Sequence, residues 1–127
     1  MGSAEDSDSR LLLQSRLDGG VAVVGVTGEL DVFTSGEFRE GLLQVIGDGN
    51  DRSLVVNLAG VSFIDSTGTG VLVGVWHRVR ATNGMLAVAA PSRQARGILE
   101  MTGLARTFPV YETESEAVRA CRAPAAG

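Results

Sequence analysis

The side chains best suited to covalent chemistry lie together in the run Asp65-Ser66-Thr67-Gly68-Thr69-Gly70. A serine hydroxyl at an exposed helix start, beside glycines that give little steric cover, is accessible to another enzyme. The same residue types also favour plain helix caps, because a side-chain oxygen there accepts hydrogen bonds from backbone N–H groups that lack an intrahelical partner. The residues alone leave both roles open for Asp65 and Ser66.

Three glycines follow at positions 68, 70 and 74, in a segment that is predicted to be helical. Each helical glycine costs roughly 1 kcal/mol relative to alanine, so we expect close backbone approach to a neighbouring element or to a partner. The spacing after a strand also has the context of a dinucleotide fingerprint. That fingerprint needs an acid about 20 residues further on, where this chain has none, and the carboxylate of Asp65 opposes phosphate. A nucleotide-binding module is therefore the weaker alternative.

The inventory of catalytic side chains is small, with His77 as the single histidine, Cys121 as the single cysteine and no lysine among 11 basic residues. A phosphate-loop lysine and a Schiff-base enzyme are excluded. His77 lies 11 residues after Ser66, which is about three helical turns at roughly 1.5 Å per residue. We therefore predict no catalytic residues and no cofactor. We also predict no metal site, because the His and Cys residues are not spaced like metal ligands.

The elements that must position the Asp65-Ser66 run can be read from hydrophobic periodicity and turn residues. Strands are predicted from the apolar runs at residues 11–17, 21–26, 54–58, 85–90 and 108–111, with the second strand ending at residues 28–31 and the third turning at Ala59-Gly60. A further turn is predicted at residues 48–51. Helices are predicted from the capping-box spacing Thr34-x-x-Glu37 to Gly47, from Asp65 to about Ala81, from Ser92 to Gly103, and after the capping-box spacing Thr113-x-x-Glu116.

This order predicts an α/β fold with a mixed, mostly parallel sheet of about five strands. The first hairpin is antiparallel, right-handed crossovers join the parallel strands, and four helices pack mainly on one side. The 127 residues fit one domain. We assign residues 10–122 to it, residues 1–9 to a disordered N-terminal tail and residues 123–127 to a flexible C-terminus.

Charge and hydropathy limit the classes of partner. The net charge of −4 argues against direct nucleic-acid binding, and no apolar run reaches the roughly 18 residues of a membrane span. We expect a cytoplasmic protein. No acid lies between Ser66 and Leu99, a stretch that contains four arginines, Arg78, Arg80, Arg93 and Arg96. If the arginines share one face of the fold, this separation of charge can orient a protein partner. If they do not, the arginines are ordinary scattered surface charges.

The motif residues support a family resemblance over residues 11–119. Residues 61–68 read Val-Ser-Phe-Ile-Asp-Ser-Thr-Gly, residues 71–74 read Val-Leu-Val-Gly, and Gly28-Glu29-Leu30-Asp31 precedes them. Together with Thr102-Gly103-Leu104 and Phe108-Pro109-Val110-Tyr111, they resemble the STAS-domain anti-anti-sigma factors of bacteria. The resemblance implies the same mixed α/β STAS fold.

The resemblance also implies a function and its residues. Ser66 is implied as the phosphate acceptor with Thr67 as the secondary candidate, and the implied partner-binding residues are Asp31, Asp65, Ser66, Thr67, Gly68 and Thr69. Thr69 stands where the family pattern usually has leucine. Two partners are implied. The first is an anti-sigma factor that is itself a serine kinase, and the unphosphorylated form binds it to release a sigma factor. The second is a metal-dependent serine phosphatase. The oligomeric state, monomer or weak dimer, stays open.

Two alternatives accompany this interpretation. Non-switching STAS scaffold subunits and transporter-associated STAS domains share the implied fold. The stand-alone length of the chain favours a switch protein over a transporter domain. Asp31 also has two roles open to it, kinase recognition by resemblance and a local cap for the helix after Thr34. We predict that Asp31→Ala weakens partner binding more than folding, and the cap would reverse that order.

Overall fold

The computed structural model describes residues 11–47 and 53–122 of the chain. The predicted tail at residues 1–9, the predicted turn at residues 48–51 and the predicted flexible end at residues 123–127 lie outside the described residues. The elements in order are β1 Leu11–Asp18, β2 Val21–Leu30, α1 Ser35–Ile46, β3 Ser53–Ile64, α2 Ser66–Ala81, β4 Leu86–Ala89, α3 Arg93–Met101, a 3-10 turn Leu104–Arg106, β5 Val110–Tyr111 and α4 Glu114–Arg122.

The five strands form one sheet in the order β1-β2-β3-β4-β5. The β1–β2 hairpin is antiparallel, with Leu11 opposite Gly28 and Asp18 opposite Val21. The remaining pairs are parallel. The predicted mixed α/β fold is therefore confirmed. Because β2, β3 and β4 run in one direction, the loops at their C-terminal ends lie along the same edge of the sheet.

The helices divide unequally between the two sheet faces. On the first face, α1, α2 and α3 cover the main core, whose largest buried side chains include Phe38, Leu42, Leu54, Leu72 and Leu99. On the second face, α4 packs Ala117 and Val118 against a smaller cluster, Val21, Val23, Val55, Ala87 and Ala89. Successive residues of β3 point to opposite faces of the sheet, and helices cover both faces. This explains why the start of β3 is largely apolar and lacks an apolar–polar alternation.

The prediction that the third strand ends at Leu58 and turns at Ala59-Gly60 is wrong. β3 continues to Ile64, and its pairing with β2 shifts register between Gly25 and Thr27. A Cβ atom at Gly60 would lie 2.6 Å from Thr27 Oγ1 and 2.9 Å from the Val26 carbonyl oxygen. Gly60 therefore allows close approach at a β-bulge, a use of glycine that resembles a turn signal in the sequence.

Other predicted boundaries also shift. β2 passes through Gly28, at φ 128°, and ends at Leu30, within the predicted end at residues 28–31. β4 and β5 are shorter than predicted, and Phe108 is a core residue, 1% exposed, and not part of the edge strand. Among the described residues, no helix is long and apolar enough to cross a membrane.

The two predicted capping boxes have opposite outcomes. The second is confirmed, since the Thr113 N–H donates to Glu116 Oε1 at 3.3 Å and the Glu116 N–H donates to Thr113 Oγ1 at 3.2 Å. The first is wrong, because the Thr34 side chain does not cap α1. The Thr34 hydroxyl, 2% exposed, instead donates to the Glu29 carbonyl at 2.7 Å.

Candidate functional site

The candidate site lies at the C-terminal edge of the sheet, where β3 ends at Ile64 and α2 begins at Ser66. Asp65 stands between them in an extended conformation, φ −120° and ψ −167°. Its backbone N–H donates to the Leu30 carbonyl at 3.1 Å. This bond fastens the start of α2 to the end of β2 and places the loop after Leu30 beside the Asp65-Ser66 run.

Asp65 is the residue that caps α2. Its Oδ1 accepts the Thr67 N–H at 2.9 Å, the Gly68 N–H at 3.3 Å and the Thr67 hydroxyl at 2.5 Å. The Thr67 hydroxyl contributes most to lowering the pKa of Asp65; burial opposes it, and the backbone N–H groups of Gly68, Thr67 and Asp65 itself add to the lowering. Asp65 is therefore ionised at neutral pH, and its Oδ2 has no hydrogen bond in the described part of the chain.

The three hydroxyls of the first turn differ in their engagement. The Thr67 hydroxyl is held by Asp65, and the Thr69 hydroxyl donates to the Ser66 carbonyl at 3.1 Å. Ser66 is exposed, and its hydroxyl makes no hydrogen bond to any described residue. Since Asp65 already caps the helix, the Ser66 hydroxyl has no capping role. Among the three, Ser66 presents the accessible nucleophile.

Two predicted contact residues lie beneath this surface. A Cβ atom at Gly68 would lie 2.8 Å from Ile64 Cγ1 and 2.9 Å from Leu30 Cβ, so this glycine permits the close packing of α2 on the strand ends. Thr69 is only 5% exposed. By contrast, Cβ atoms at Gly70 and Gly74 would meet nothing within 4 Å. The expected close approach within the fold therefore explains the first of the three glycines and neither of the others.

Asp31 organises the loop that faces the Asp65-Ser66 run. Its Oδ1 accepts the Phe33 N–H at 2.9 Å and the Thr34 N–H at 3.2 Å, and its own N–H donates to Thr34 Oγ1 at 3.1 Å. The Asp31 carbonyl also accepts the Ser35 N–H at 2.9 Å. Asp31 thus stabilises the turn that precedes α1, while the helix itself has no side-chain cap at Thr34, and the half-buried Asp31 carboxylate lies at the same edge as Asp65.

Exposed apolar side chains beside the site were missed by the sequence interpretation. Val32 is 63% exposed, Phe33 is 76% exposed, and Phe63, next to the last residue of β3, is 40% exposed. We call these three residues the apolar patch. The signal was available, since Val32-Phe33 interrupts a loop that follows Asp31 and should be polar. Exposed large side chains at a functional edge mark surfaces that other proteins bind.

The side chains that could serve an enzyme are dispersed. His77 is an exposed residue of α2 whose ring lies 4.8 Å from the Trp76 ring. Cys121 packs against the second-face cluster, where burial raises the pKa of its thiol to about 11. Neither of these two contacts Ser66. In residues 11–47 and 53–122, no three His, Cys, Asp or Glu side chains are grouped so that they could hold a metal ion.

The arginines of the acid-free stretch do not share one surface. Arg78 and Arg80 belong to the last turn of α2, where Arg80 lies 5.1 Å from the centre of the Trp76 ring. Arg93 and Arg96 belong to the start of α3, and Arg96 pairs with Glu112 at 3.1 Å. Because α2 and α3 both follow parallel strands, these two groups lie at opposite ends of the sheet. The fold favours scattered surface charge over a single oriented face.

Comparison with known proteins gives a consistent result. Residues 13–117 match the family model described as STAS domain. The chain is 39% identical over 94 residues to the anti-sigma-B factor antagonist of Staphylococcus aureus, covering 73% of this chain and 86% of the relative.

Two solved structures give the same result. The crystal structure of an anti-sigma factor antagonist from Mycobacterium paratuberculosis superposes with a TM-score of 0.81 at 31% identity, covering 95% of this chain and 99% of that one. The phosphorylated form of the Bacillus cell fate determinant SpoIIAA superposes with a TM-score of 0.67 at 25% identity, covering 86% and 98% of the two chains. This chain belongs to the STAS domain family, among relatives that are named anti-sigma factor antagonists.

Proposed function

We propose that this protein is a cytoplasmic anti-sigma factor antagonist whose unphosphorylated form binds a cognate anti-sigma factor and so releases a sigma factor. Phosphorylation of Ser66 switches this binding off. One observation carries the proposal: Ser66 holds the exposed, unengaged hydroxyl of the first turn of α2, while Asp65 supplies the cap. The names of the relatives support an anti-sigma factor as the partner.

The geometry supplies a reason why phosphorylation should change binding without unfolding the domain. A phosphate adds about −1.5 to −2 charge at neutral pH, and the positive end of the α2 dipole tolerates an anion there. The Thr67 and Gly68 N–H groups are already bound to Asp65, so the phosphate is not drawn into the helix end. It remains at the surface beside the ionised Asp65, where a docked partner must accommodate both charges.

The partner is proposed to be a serine kinase as well as an anti-sigma factor, with a metal-dependent phosphatase restoring the unphosphorylated form. The solved phosphorylated form of SpoIIAA supports a covalent switch on this fold. A nucleotide-binding module is disfavoured because the lowered pKa of Asp65 keeps an anion at the turn that a phosphate ligand would approach. A non-switching scaffold would share the fold and differs in one measurable respect, namely that Ser66 would stay unmodified.

The test uses the intact chain with ATP and each candidate anti-sigma kinase from the same cell. Intact-mass analysis followed by site mapping should find one phosphate, on Ser66. Ser66→Ala should bind the anti-sigma factor constitutively and Ser66→Asp should bind it poorly, while both variants stay folded, since an acid suits a helix start. Thr67→Ala is the control for the neighbouring hydroxyl.

Two outcomes would contradict the proposal. Equal affinity of the Ser66→Ala and Ser66→Asp variants for the anti-sigma factor would remove the switch. Phosphate mapped to Thr67, with Ser66 unmodified, would move the switch to the hydroxyl that Asp65 holds.

A further inference from the structure

The side chain of Gln94, in the first turn of α3, binds both polar groups of a single backbone residue. The Ile64 N–H donates to Gln94 Oε1 at 2.9 Å, and Gln94 Nε2 donates to the Ile64 carbonyl at 2.9 Å. The complementary pair also fixes the amide orientation, because a flipped amide would oppose donor to donor and acceptor to acceptor. Gln94 lies 30 positions from Ile64 in sequence, so this contact is formed only by the tertiary fold.

The contact replaces a missing strand neighbour. β3 pairs with β4 only as far as Asn57 opposite Ala89, whereas β3 itself continues to Ile64. On its other side, Ile64 is paired with Leu30 of β2. The Gln94 amide therefore occupies the place that the next residues of β4 would occupy in a longer ladder. Without it, the last peptide groups of β3 would be held from one side only.

α3 does not need this contact in order to form. The Ser92 side chain accepts the Ala95 N–H at 3.2 Å and caps the helix, and Ala95 and Leu99 bury its inner face. Ile64, in contrast, directly precedes Asp65, whose carboxylate must reach Thr67 and Gly68. The hydrogen bonds of the Gln94 amide therefore act mainly on the start of α2, by fixing the residue that precedes Asp65.

We propose that Gln94 is a positioning residue of the Ser66 switch. By holding Ile64 against Leu30, it keeps the Asp65 carboxylate on the first turn of α2 and the Ser66 hydroxyl directed outward. This inference rests on the proposed function for its biological meaning and deepens it, because it makes α3 part of the switch. A partner or modification that moves α3 would then change the site without touching Ser66.

The test compares Gln94→Met, which keeps the length of the side chain and loses both hydrogen bonds, with Ser92→Ala, which weakens the cap of α3 and leaves Ile64 untouched. In the intact chain, NMR gives the pKa of Asp65 and the exchange rates of the Thr67 and Gly68 amides. Gln94→Met should raise the pKa of Asp65 toward its ordinary value and speed both amides by roughly fivefold or more, the factor expected for the net loss of one hydrogen bond. Ser92→Ala should lower the melting temperature and change neither quantity.

A second variant and a kinase assay complete the design. Gln94→Leu also lacks both hydrogen-bonding groups and adds no charge, and should shift the Asp65 pKa in the same direction as Gln94→Met. With the kinase that modifies Ser66, both variants should lower kcat/KM for phosphorylation relative to Ser92→Ala. Unchanged Asp65 pKa and amide exchange in folded Gln94 variants would overturn the inference and leave the proposed function intact. Failure of every kinase to modify the wild-type Ser66 would remove the proposed switch, and with it the role of Gln94 in that switch.

Discussion

The Thr67 hydroxyl donates a hydrogen bond to Asp65 Oδ1 at a distance of 2.5 Å, the shortest contact of the site. The same oxygen also accepts the Thr67 and Gly68 N–H groups. This arrangement assigns different tasks to neighbouring residues of similar chemistry. Thr67 stabilises the carboxylate, the carboxylate caps α2, and Ser66 is left exposed with its hydroxyl available.

The first prediction concerns this hydroxyl and pH. The pKa of Asp65 is lowered in the folded chain, chiefly by Thr67, so the capping contribution is full above the unfolded aspartate pKa of about 3.9 and is lost as pH falls through the lower folded pKa. Thr67→Val should raise the folded pKa and reduce the stability that depends on ionised Asp65. NMR titration gives the pKa, and denaturant unfolding between pH 7 and pH 3 gives the stability.

The control for that prediction is Asp65→Asn, which keeps an acceptor oxygen and cannot titrate. The difference in unfolding free energy between wild type and Asp65→Asn should shrink as the solution is acidified below about pH 4. A difference that stays constant over this range would show that the charge of Asp65 does not contribute to the cap.

The second prediction separates the glycines of α2. Gly68→Ala should destabilise the fold by about 1–3 kcal/mol, because its Cβ would lie 2.8 Å from Ile64 and 2.9 Å from Leu30. Gly70→Ala and Gly74→Ala should each stabilise it by about 0.4–1 kcal/mol, since both positions are open and alanine restricts the unfolded chain. Urea unfolding measures all three. Weaker anti-sigma factor binding by the two stabilised variants would mean that a partner approaches this helix face closely.

The third prediction revises the expectation for Asp31. Because the Asp31 carboxylate accepts two backbone N–H groups of the turn before α1, Asp31→Ala should lower stability by about 0.5–1.5 kcal/mol for each hydrogen bond lost. Asp31→Asn keeps an acceptor and should retain most of that stability. The affinity of wild type and of Asp31→Asn for the anti-sigma factor, measured per folded molecule, should then show the contribution of the Asp31 charge to binding. Full affinity of the asparagine variant would leave Asp31 with a structural role alone.

The fourth prediction tests the apolar patch. Phe33→Ala should leave the melting temperature almost unchanged, because the side chain is 76% exposed, and should weaken binding of the anti-sigma factor at least about fivefold, the effect of losing a contact worth more than 1 kcal/mol. Met101→Ala is the matched control, since Met101 is 82% exposed at the far end of α3. Calorimetric titration compares the two. Equal affinities would exclude Phe33 from the docking surface.

Local signals were sufficient for most of the fold. The short gap between the strands predicted over residues 11–17 and 21–26 indicated the first hairpin, and the Thr113-x-x-Glu116 spacing predicted the start of α4 because both partners of that capping box are close in sequence. The strand and helix order then fixed the parallel connections. In the site, the placement of Asp65 and Ser66 at the start of α2 also followed from local sequence, since capping is a short-range interaction.

The errors arose where distant residues decide the local structure. Gly60 resembles a turn residue until Thr27 of the neighbouring strand is placed against it. Thr34 fits a capping box, but in the fold its hydroxyl donates to the Glu29 carbonyl near the end of β2. Gln94 carried no signal, because its two hydrogen bonds exist only after α3 docks beside β3. Such contacts depend on tertiary packing and cannot be read from short-range patterns.

The strand registers also determine where a label can be attached. Leu11 is paired with Gly28, so the first residue of β1 lies at the edge of the sheet where Ser66 lies. Arg122, the last residue of α4, pairs with Asp18, which is opposite Val21 at the start of β2. Val21 and Gly28 are seven residues apart along β2, which is roughly 23 Å at about 3.3 Å per residue. An affinity tag or fluorophore joined beyond Arg122 would leave the proposed partner-binding edge around Ser66 open. A bulky fusion joined before Leu11 would compete with the proposed partner for space at that edge.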